Sequence, residues 1–488
     1  SPLDKNTFFV ACNTITFIPF FISEGNYTTR DGGLTWYGSD TCGGTPIDYH
    51  GGDPGNAIDK AGNFILTRKG RTPFVGLYSH TSTDFGHTWS SQVAVSTDDL
   101  ERASLTVDLF PSSPYYGRTY AAWVPFAQPF PLMLSHTDDG GQHWSAQKQI
   151  NNPVNRSAGG DVAVGSDGKV YACWAGVTDF SPFKEVLVGF GSSSDGGATW
   201  SVNENLFPMS GISGLMTEKS NIRVNSKPAM AIDTTHGPYR GSIYIVTCQK
   251  GLAPAGTDPD IILYRSTDDG ATWSSGIRVN QDPFNNGKIQ YFPSIHVDQH
   301  GRINILFYDD RNTTSDSVGV VLARSFDGGN TWAEYEISDH HFKPAPIGGL
   351  GQGYQGDNID INSNDTKLIP VWMDNSSGVY QIWTVPVDFA DVNGVNDLRS
   401  ESPSFILYQN TPNPVKNVTA IRWFQPQRSF ISVSLLDQLG RQVKKLCQDQ
   451  YSQGEHSIEI NLDVLTPGIY FCQMRSNQQI ITKKLVKE

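Results

Sequence analysis

Ser193-Ser194-Asp195-Gly196-Gly197-Ala198-Thr199-Trp200 decides the fold. Its pattern, Ser/Thr-x-Asp-x-Gly-x-x-Trp, recurs with the tryptophan at Trp36, Trp89, Trp144, Trp200, Trp273 and Trp332. Elementary chemistry makes each copy a hairpin turn. Gly197, like Gly33, Gly86, Gly141, Gly270 and Gly329, is free to take the positive φ of a tight turn. Asp195, like Asp31, Asp84, Asp139, Asp268 and Asp327, can fold its carboxylate back onto free backbone N–H groups. The tryptophan then opens the returning strand as a large apolar anchor. These six aspartates are read as scaffold, not as chemistry.

Between the turns the chain repeats one grammar at a period of about 55–60 residues. Asp161–Gly165 reads as a first strand, Lys169–Trp174 as a second and Glu185–Phe190 as a third, before the turn and a fourth strand from Trp200. The order returns at 228–233, 242–246 and 261–264, and again at 293–298, 302–307 and 318–322. A last unit, 358–361, 367–372 and 379–383, has no turn octet, and only part of a unit precedes Trp36.

The octets match the Asp-box, or BNR, repeat, and residues 1–388 resemble the sialidase superfamily of β-propellers. That resemblance implies an all-β propeller with the boxes on the outer rim and any ligand in a central funnel. Counting third strands favours seven blades; the resemblance favours six. Strands from the two ends are expected to pair and close the ring.

Residues 389–403 read as a polar linker. Beyond them, 404–488 carry short strands that predict a small β-sandwich of immunoglobulin-like size. Asn413-Pro414-Val415, Asp437-x-x-Gly440-Arg441, Gly454-x-His456 and Pro467-Gly-Ile-Tyr-Phe471, with a lysine-rich end, resemble the C-terminal sorting domain of type IX secretion cargo from Bacteroidetes-type bacteria. The resemblance implies a secreted or cell-surface protein whose tail engages the type IX machinery.

Composition agrees with a turn-rich β protein: 48 Gly, 28 Pro and only 17% charged residues in 488. Net charge is −13, and 401–488 hold 10 Lys/Arg against 7 Asp/Glu, so the acidity lies in the larger part. Such a balance argues against nucleic acid and anionic membrane surfaces as partners. The longest apolar run, Ile15 to Ile22, is interrupted by Thr16 and Pro19, so no transmembrane segment is expected. A chain opening at Ser1 without a leader predicts a mature form with its signal removed. Of the six cysteines, Cys173 and Cys248 read as packed thiols, whereas Cys447 and Cys472 are equally compatible with a disulfide or free thiols.

The funnel implied by the family would be lined by the starts of first strands, Asp53, Arg102, Asp161, Lys227, Tyr291 and Asp357. Loops after second strands would add Arg68, Arg71, Asp179, Lys250, Asp309, Asp310, Arg311 and Asp374. Tyr308-Asp309-Asp310-Arg311 stands out, and the ligand-binding candidates are Arg68, Arg71, Tyr308, Asp309, Asp310, Arg311 and Asp374. Asp53, Asp161 and Asp357, each preceded by glycine, are candidates to hold calcium, with Lys227 or Arg102 as the alternative counter-charge. No cofactor is required.

A sialidase needs an arginine triad, a tyrosine nucleophile assisted by glutamate and an acid/base aspartate. Here no Arg-Ile-Pro element occurs near the N-terminus, Arg71-Thr-Pro73 does not fit, and glutamates are scarce near the expected funnel. Two functions follow: a non-catalytic binding or assembly platform, associated with glycans, extracellular matrix or copies of itself, and a sialidase-like glycoside hydrolase. Persistence of the C-terminal domain in the sequence favours the platform.

Overall fold

Val170–Val177 and Ile243–Gln249 are buried along their whole length, which is why the second strand of each sequence unit reads as a nearly continuous apolar run. A strand covered on both faces by neighbouring sheets has no side left for polar residues. Fourth strands such as Ser201–Pro208 lie at the outside and are mostly exposed. The computed structural model describes all residues except 16–21, 315, 349–352, 393–405, 409, 426–427, 439 and 477–479. It divides into two units, Ser1–Val395 and Asn396–Glu488.

Among the described residues of the first unit, seven antiparallel sheets of three or four strands follow one another, forming a β-propeller. Five have four strands in sequence order, from Gly55–Ile58 in the second sheet to Ala333–Glu336 in the sixth. The first sheet holds Phe8–Thr14, Ser23–Thr29 and Tyr37–Ser39. The seventh holds Asp360–Ser363, Lys367–Asp374 and Gln381–Thr384, with Val387–Asp388 pairing back onto the middle strand. First strands of successive sheets touch one another around the centre. A short hairpin, Gly214–Met216 and Ile222–Val224, is inserted between the fourth and fifth sheets.

The box turns show how the sheets are joined. Ser193 Oγ donates to Asp195 Oδ1 (2.8 Å) and accepts the Gly197 N–H (2.9 Å), while Asp195 also accepts Thr199 N–H and Oγ1 at 2.8 and 2.6 Å. The hydroxyl at the first box position is therefore as much part of the turn as the aspartate. Gly197 sits at φ +90°, and a Cβ there would lie 2.6 Å from Leu134 of the preceding sheet. Gly270 likewise meets Phe190, Gly329 meets Leu263, and Gly141 meets Thr81. Box tryptophans wedge into the same seams, Trp273 lying 5.3 Å from the Phe190 ring.

The seam between the first and seventh sheets follows this rule, because Gly33 abuts Pro386 and Ile369. Closure does not use a shared strand, contrary to expectation: among the described residues each end keeps its own sheet. Lys5 pairs with Asp365 at 2.5 Å and Asn364 Nδ2 donates to Asn6 at 3.1 Å instead. Phe389 and Val392, read from sequence as the start of a linker, pack on this unit. Phe389 joins its core, and the Val392 carbonyl accepts a bond from the buried Arg324 at 2.6 Å. The rest of that linker reading, 393–403, lies outside the described residues, as does most of the Ile15–Ile22 run. Among the described residues no helix is long and apolar enough to cross a membrane.

In the second unit, Ile406–Leu407, Val418–Gln425 and Gly454–Asn461 form one sheet, and Ser429–Leu436, Gln442–Tyr451, Gly468–Arg475 and Ile480–Lys487 the other. Trp423, Ile421 and Ile460 from the first meet Val433, Leu435, Met474 and Leu485 from the second in one core. The sequence elements singled out above are its fasteners. Asn413 Oδ1 accepts the Val486 N–H (2.8 Å), Arg441 pairs with Asp437 (2.7 Å), and His456 stacks 5.5 Å from Trp423. All six cysteines are free. Cys447 opposes Val433 and Cys472 opposes Leu435, so strand Ser429–Leu436 runs between them. Two strand spacings, about 10 Å, exceed what a disulfide can span. Cys173 and Cys248 are buried thiols, raised well above the ordinary range by burial.

If box glycines set the seams, Gly270→Ala should cost more than Gly86→Ala. Both carry φ near +88°, but an added Cβ meets Phe190 at 2.3 Å in the first case and nothing closer than 3.5 Å in the second. Gly86→Ala should cost only the backbone term, about 1 kcal/mol. Equal losses in denaturant unfolding would refute the seam argument.

Candidate functional site

The starts of the first strands meet at the centre of the ring and bind one another through side chains. Gly159, at φ +57°, belongs to a bulge in Ser157–Val164, and a Cβ there would sit 2.5 Å from the Lys227 side chain. Glycine is needed because Lys227 of the fifth sheet passes over the fourth to pair with Glu101 at the start of the third. The Gly159 N–H donates to the same carboxylate at 3.2 Å. Burial works against the ionised acid, but Lys227 and this N–H outweigh it and hold Glu101 at about 2. Lys227 is itself raised: burial opposes its charge, and Glu101 and then Asp357 more than compensate.

Around this pair the other acids also find protein donors. Asp161 accepts Ser104 Oγ at 2.6 Å and the Met230 N–H at 2.9 Å, tying three sheets together. Asp357 accepts Asn225 Nδ2 at 3.1 Å. Asp53, at φ +54°, receives Asn13 Nδ2 at 3.4 Å and gives its own N–H to Asn13 at 2.7 Å. Burial raises the Asp53 carboxyl and Asp357 adds to the rise, with Lys69 and Lys227 acting the other way. Asp360, raised by burial, accepts Ser294 Oγ at 3.3 Å. The inserted hairpin walls one side. Lys219 at its tip forms a buried 2.6 Å pair with Asp310, and the Arg223 guanidinium lies 4.2 Å over the Tyr354 ring.

Of the calcium candidates, Asp53 and Asp357 lie close enough for Asp357 to raise the Asp53 carboxyl, while Asp161 is bonded to Ser104 and Met230. Among the described residues no three His, Cys, Asp or Glu side chains group to hold a metal ion. Lysine takes the counter-charge role, since Lys227 acts on Glu101, Asp357 and Asp53 alike. Arg102 is exposed, close enough to Glu101, Lys227 and Asp360 to influence their charge. Among the described residues its side chain makes no hydrogen bond or ion pair.

The loops after second strands give a different picture from the sequence reading. Tyr308 is buried and bonds both the carbonyl and the N–H of Met373, at 2.7 and 3.0 Å. Asp309 accepts the Arg311 N–H and Nε at 2.7 and 2.6 Å, and Arg311 grips Glu334 with two bonds of 2.6 and 2.8 Å. Asp310 is spent on Lys219, and Asp374 accepts the Ser376 N–H at 2.6 Å and lies 2.7 Å from His340 Nε2. Arg68 is buried, donating to His80, the Lys69 carbonyl and Gln92 at 3.1, 3.0 and 2.8 Å. These candidates hold loops and strands together because in a buried site each charge must find a partner. Arg71, Asp179 and Lys250 are exposed, whereas Tyr291 is buried.

Sequence reasoning missed Glu101, which lies at the centre despite the apparent scarcity of glutamate, and Lys69, Arg223, Tyr354 and Asp360. It also missed a repeat: Pro73-Phe74, Pro129-Phe130 and Pro182-Phe183 occupy the same loop in three consecutive sheets. Alignment of the units on their boxes would have exposed it.

Lys227→Met should leave Glu101 and Asp357 without their cation and destabilise the propeller by about 1–3 kcal/mol. Calcium added to chelator-treated wild-type protein should not move its melting temperature; a rise of several degrees would restore the metal reading.

Two family models match the chain. A BNR repeat-like domain covers residues 127–347, and a secretion system C-terminal sorting domain covers 411–488. No protein in the curated set is significantly similar. Similar solved structures include a protein of unknown function from Dyadobacter fermentans, 15% identical over 68% of this chain and 93% of that one, TM-score 0.44. An ulvan lyase of polysaccharide lyase family PL25 is 10% identical over 78% and 90%, TM-score 0.49. A leech intramolecular trans-sialidase is 12% identical over 68% and 66%, TM-score 0.40. The chain thus carries a BNR-repeat β-propeller and a type IX secretion C-terminal sorting domain, and is a secreted or cell-surface protein.

Proposed function

We propose that the propeller is a non-catalytic extracellular platform that binds glycans at its central channel. One observation carries this reading. Every carboxylate described at the channel is engaged by the protein's own donors, while the Arg102 guanidinium stands exposed with no acceptor among the described residues. General acid–base catalysis needs a carboxyl free to exchange its proton with substrate, and Glu101, held at about 2 beneath Lys227, is poorly suited to that task. An open guanidinium is suited to bind a carboxylate or sulfate through two parallel N–H bonds.

The test is a glycan screen of wild type and Arg102→Ala, paired with a sialic-acid release assay. Acidic glycans should bind wild type, and the variant should lose about 1.5–3 kcal/mol, ten- to a hundredfold in affinity. Release of sugar by the wild type would replace the platform with a sialidase-like hydrolase.

For the second unit, deletion of residues 405–488 should leave a folded propeller retained in the periplasm. Fractionation that finds the truncated protein at the cell surface would overturn the sorting role.

A further inference from the structure

Aromatic rings stand in the loops after the second strands of the third and fourth sheets, near Arg102 and Arg156. Leu100 bridges Pro125, and the Phe126 N–H donates to the Asp99 carbonyl at 2.8 Å, so the loop carrying Phe126 lies beside the strand start carrying Arg102. Phe126 is 45% exposed, with Lys69 4.9 Å from its ring. The Arg156 guanidinium lies 4.3 Å from the ring of Phe130, in the same loop as Phe126, and 4.6 Å from the Phe183 ring of the fourth sheet. Phe183 is 40% exposed and Phe180, at the tip of the same loop, 71%. Arg156 stands before the first strand of the fourth sheet as Arg102 stands before that of the third. Like Arg102, it has no carboxylate partner among the described residues.

We propose that these rings form a shelf for an extended acidic polysaccharide, whose sugar faces rest on Phe126, Phe180 and Phe183 and whose carboxylate or sulfate groups reach Arg102 and Arg156. The inference rests on the channel binding glycans and adds the chain length and direction. Charge and shape together select the occupant. Exposed rings supply flat apolar area, and two unpaired guanidiniums in neighbouring sheets call for repeated anions. A chain of uronic or sulfated sugars offers both at every step, with C–H faces for the rings and an anion on each residue or each second residue. A monosaccharide in the channel would leave Arg156 and the outer rings unused.

The experiment compares alginate, hyaluronan, heparin and carrageenan with their tetrasaccharides, on wild type, Phe126→Ala, Phe180→Ala and Arg156→Ala, with melting curves as the control for folding. Wild type should bind at least one polymer ten times more tightly than its tetrasaccharide. Phe180→Ala and Arg156→Ala should shrink that ratio while retaining tetrasaccharide affinity, and Phe126→Ala, beside Arg102, should weaken polymer and tetrasaccharide alike. Equal affinity for polymer and tetrasaccharide, or a length advantage that survives all three substitutions, overturns the shelf and leaves channel binding standing. Tight binding of neutral polysaccharides alone overturns the acidic occupant. Failure of every glycan to bind overturns both the shelf and the channel reading. Phe180→Ala, at the most exposed ring, keeps the test decisive if another variant misfolds.

Discussion

The propeller depends on a contact no wider than a glycine. At most of the boxes the turn bends so sharply that its backbone is pressed against the preceding sheet, and a single carbon added at Gly197, Gly270 or Gly329 would overlap Leu134, Phe190 or Leu263. The hydroxyl and carboxylate of the box satisfy the turn internally, so the backbone can be brought this close without leaving buried N–H groups unbonded. The tryptophan then fills the seam. One octet therefore does the work of a turn and of a joint between sheets, which is why a weakly similar sequence can repeat it and still build the same assembly.

This double role explains what could be read in advance. Turn chemistry and strand periodicity are local, and they announce themselves in consecutive residues such as 193–200 or 170–177. The channel is another matter. Lys227 and Glu101 are 126 positions apart, and nothing near either residue declares that Gly159 has been cleared to let them meet. Arg68, Asp309, Asp310 and Arg311 read as ligand groups from sequence because they are charged and lie in the expected loops. Loop position does not reveal whether a charge faces solvent or a partner on the next strand. Only the folded structure shows that Asp309 holds Arg311, Asp310 pairs with Lys219 and Arg68 is bonded to His80 and Gln92.

The same distinction governs the channel's chemistry. Five acids gathered around an axis invite a metal or a catalytic pair. Hydroxyl, amide and backbone donors from neighbouring sheets engage most of them first, and Lys227 supplies the remaining compensation in a low-dielectric setting where an uncompensated charge is costly. Such bonds stitch first strands together where no ladder connects them. Structural need thus consumes groups that a functional reading would spend on a ligand, and leaves Arg102 and Arg156 without a carboxylate partner among the described residues.

Closure of the ring by Lys5 with Asp365 and Asn6 with Asn364, rather than by a common strand, sets an order of events for a growing chain. These contacts join residues 360 and 358 positions apart, among the most expensive loops to close. The first sheet must wait, one flank uncovered, until the seventh has been made. The earlier seams can form one after another as their sheets appear, each needing only its neighbour. The final joint is made as the others are, by side chains and not by a ladder, but it comes last: a clasp that shuts once and can reopen without unravelling a single strand.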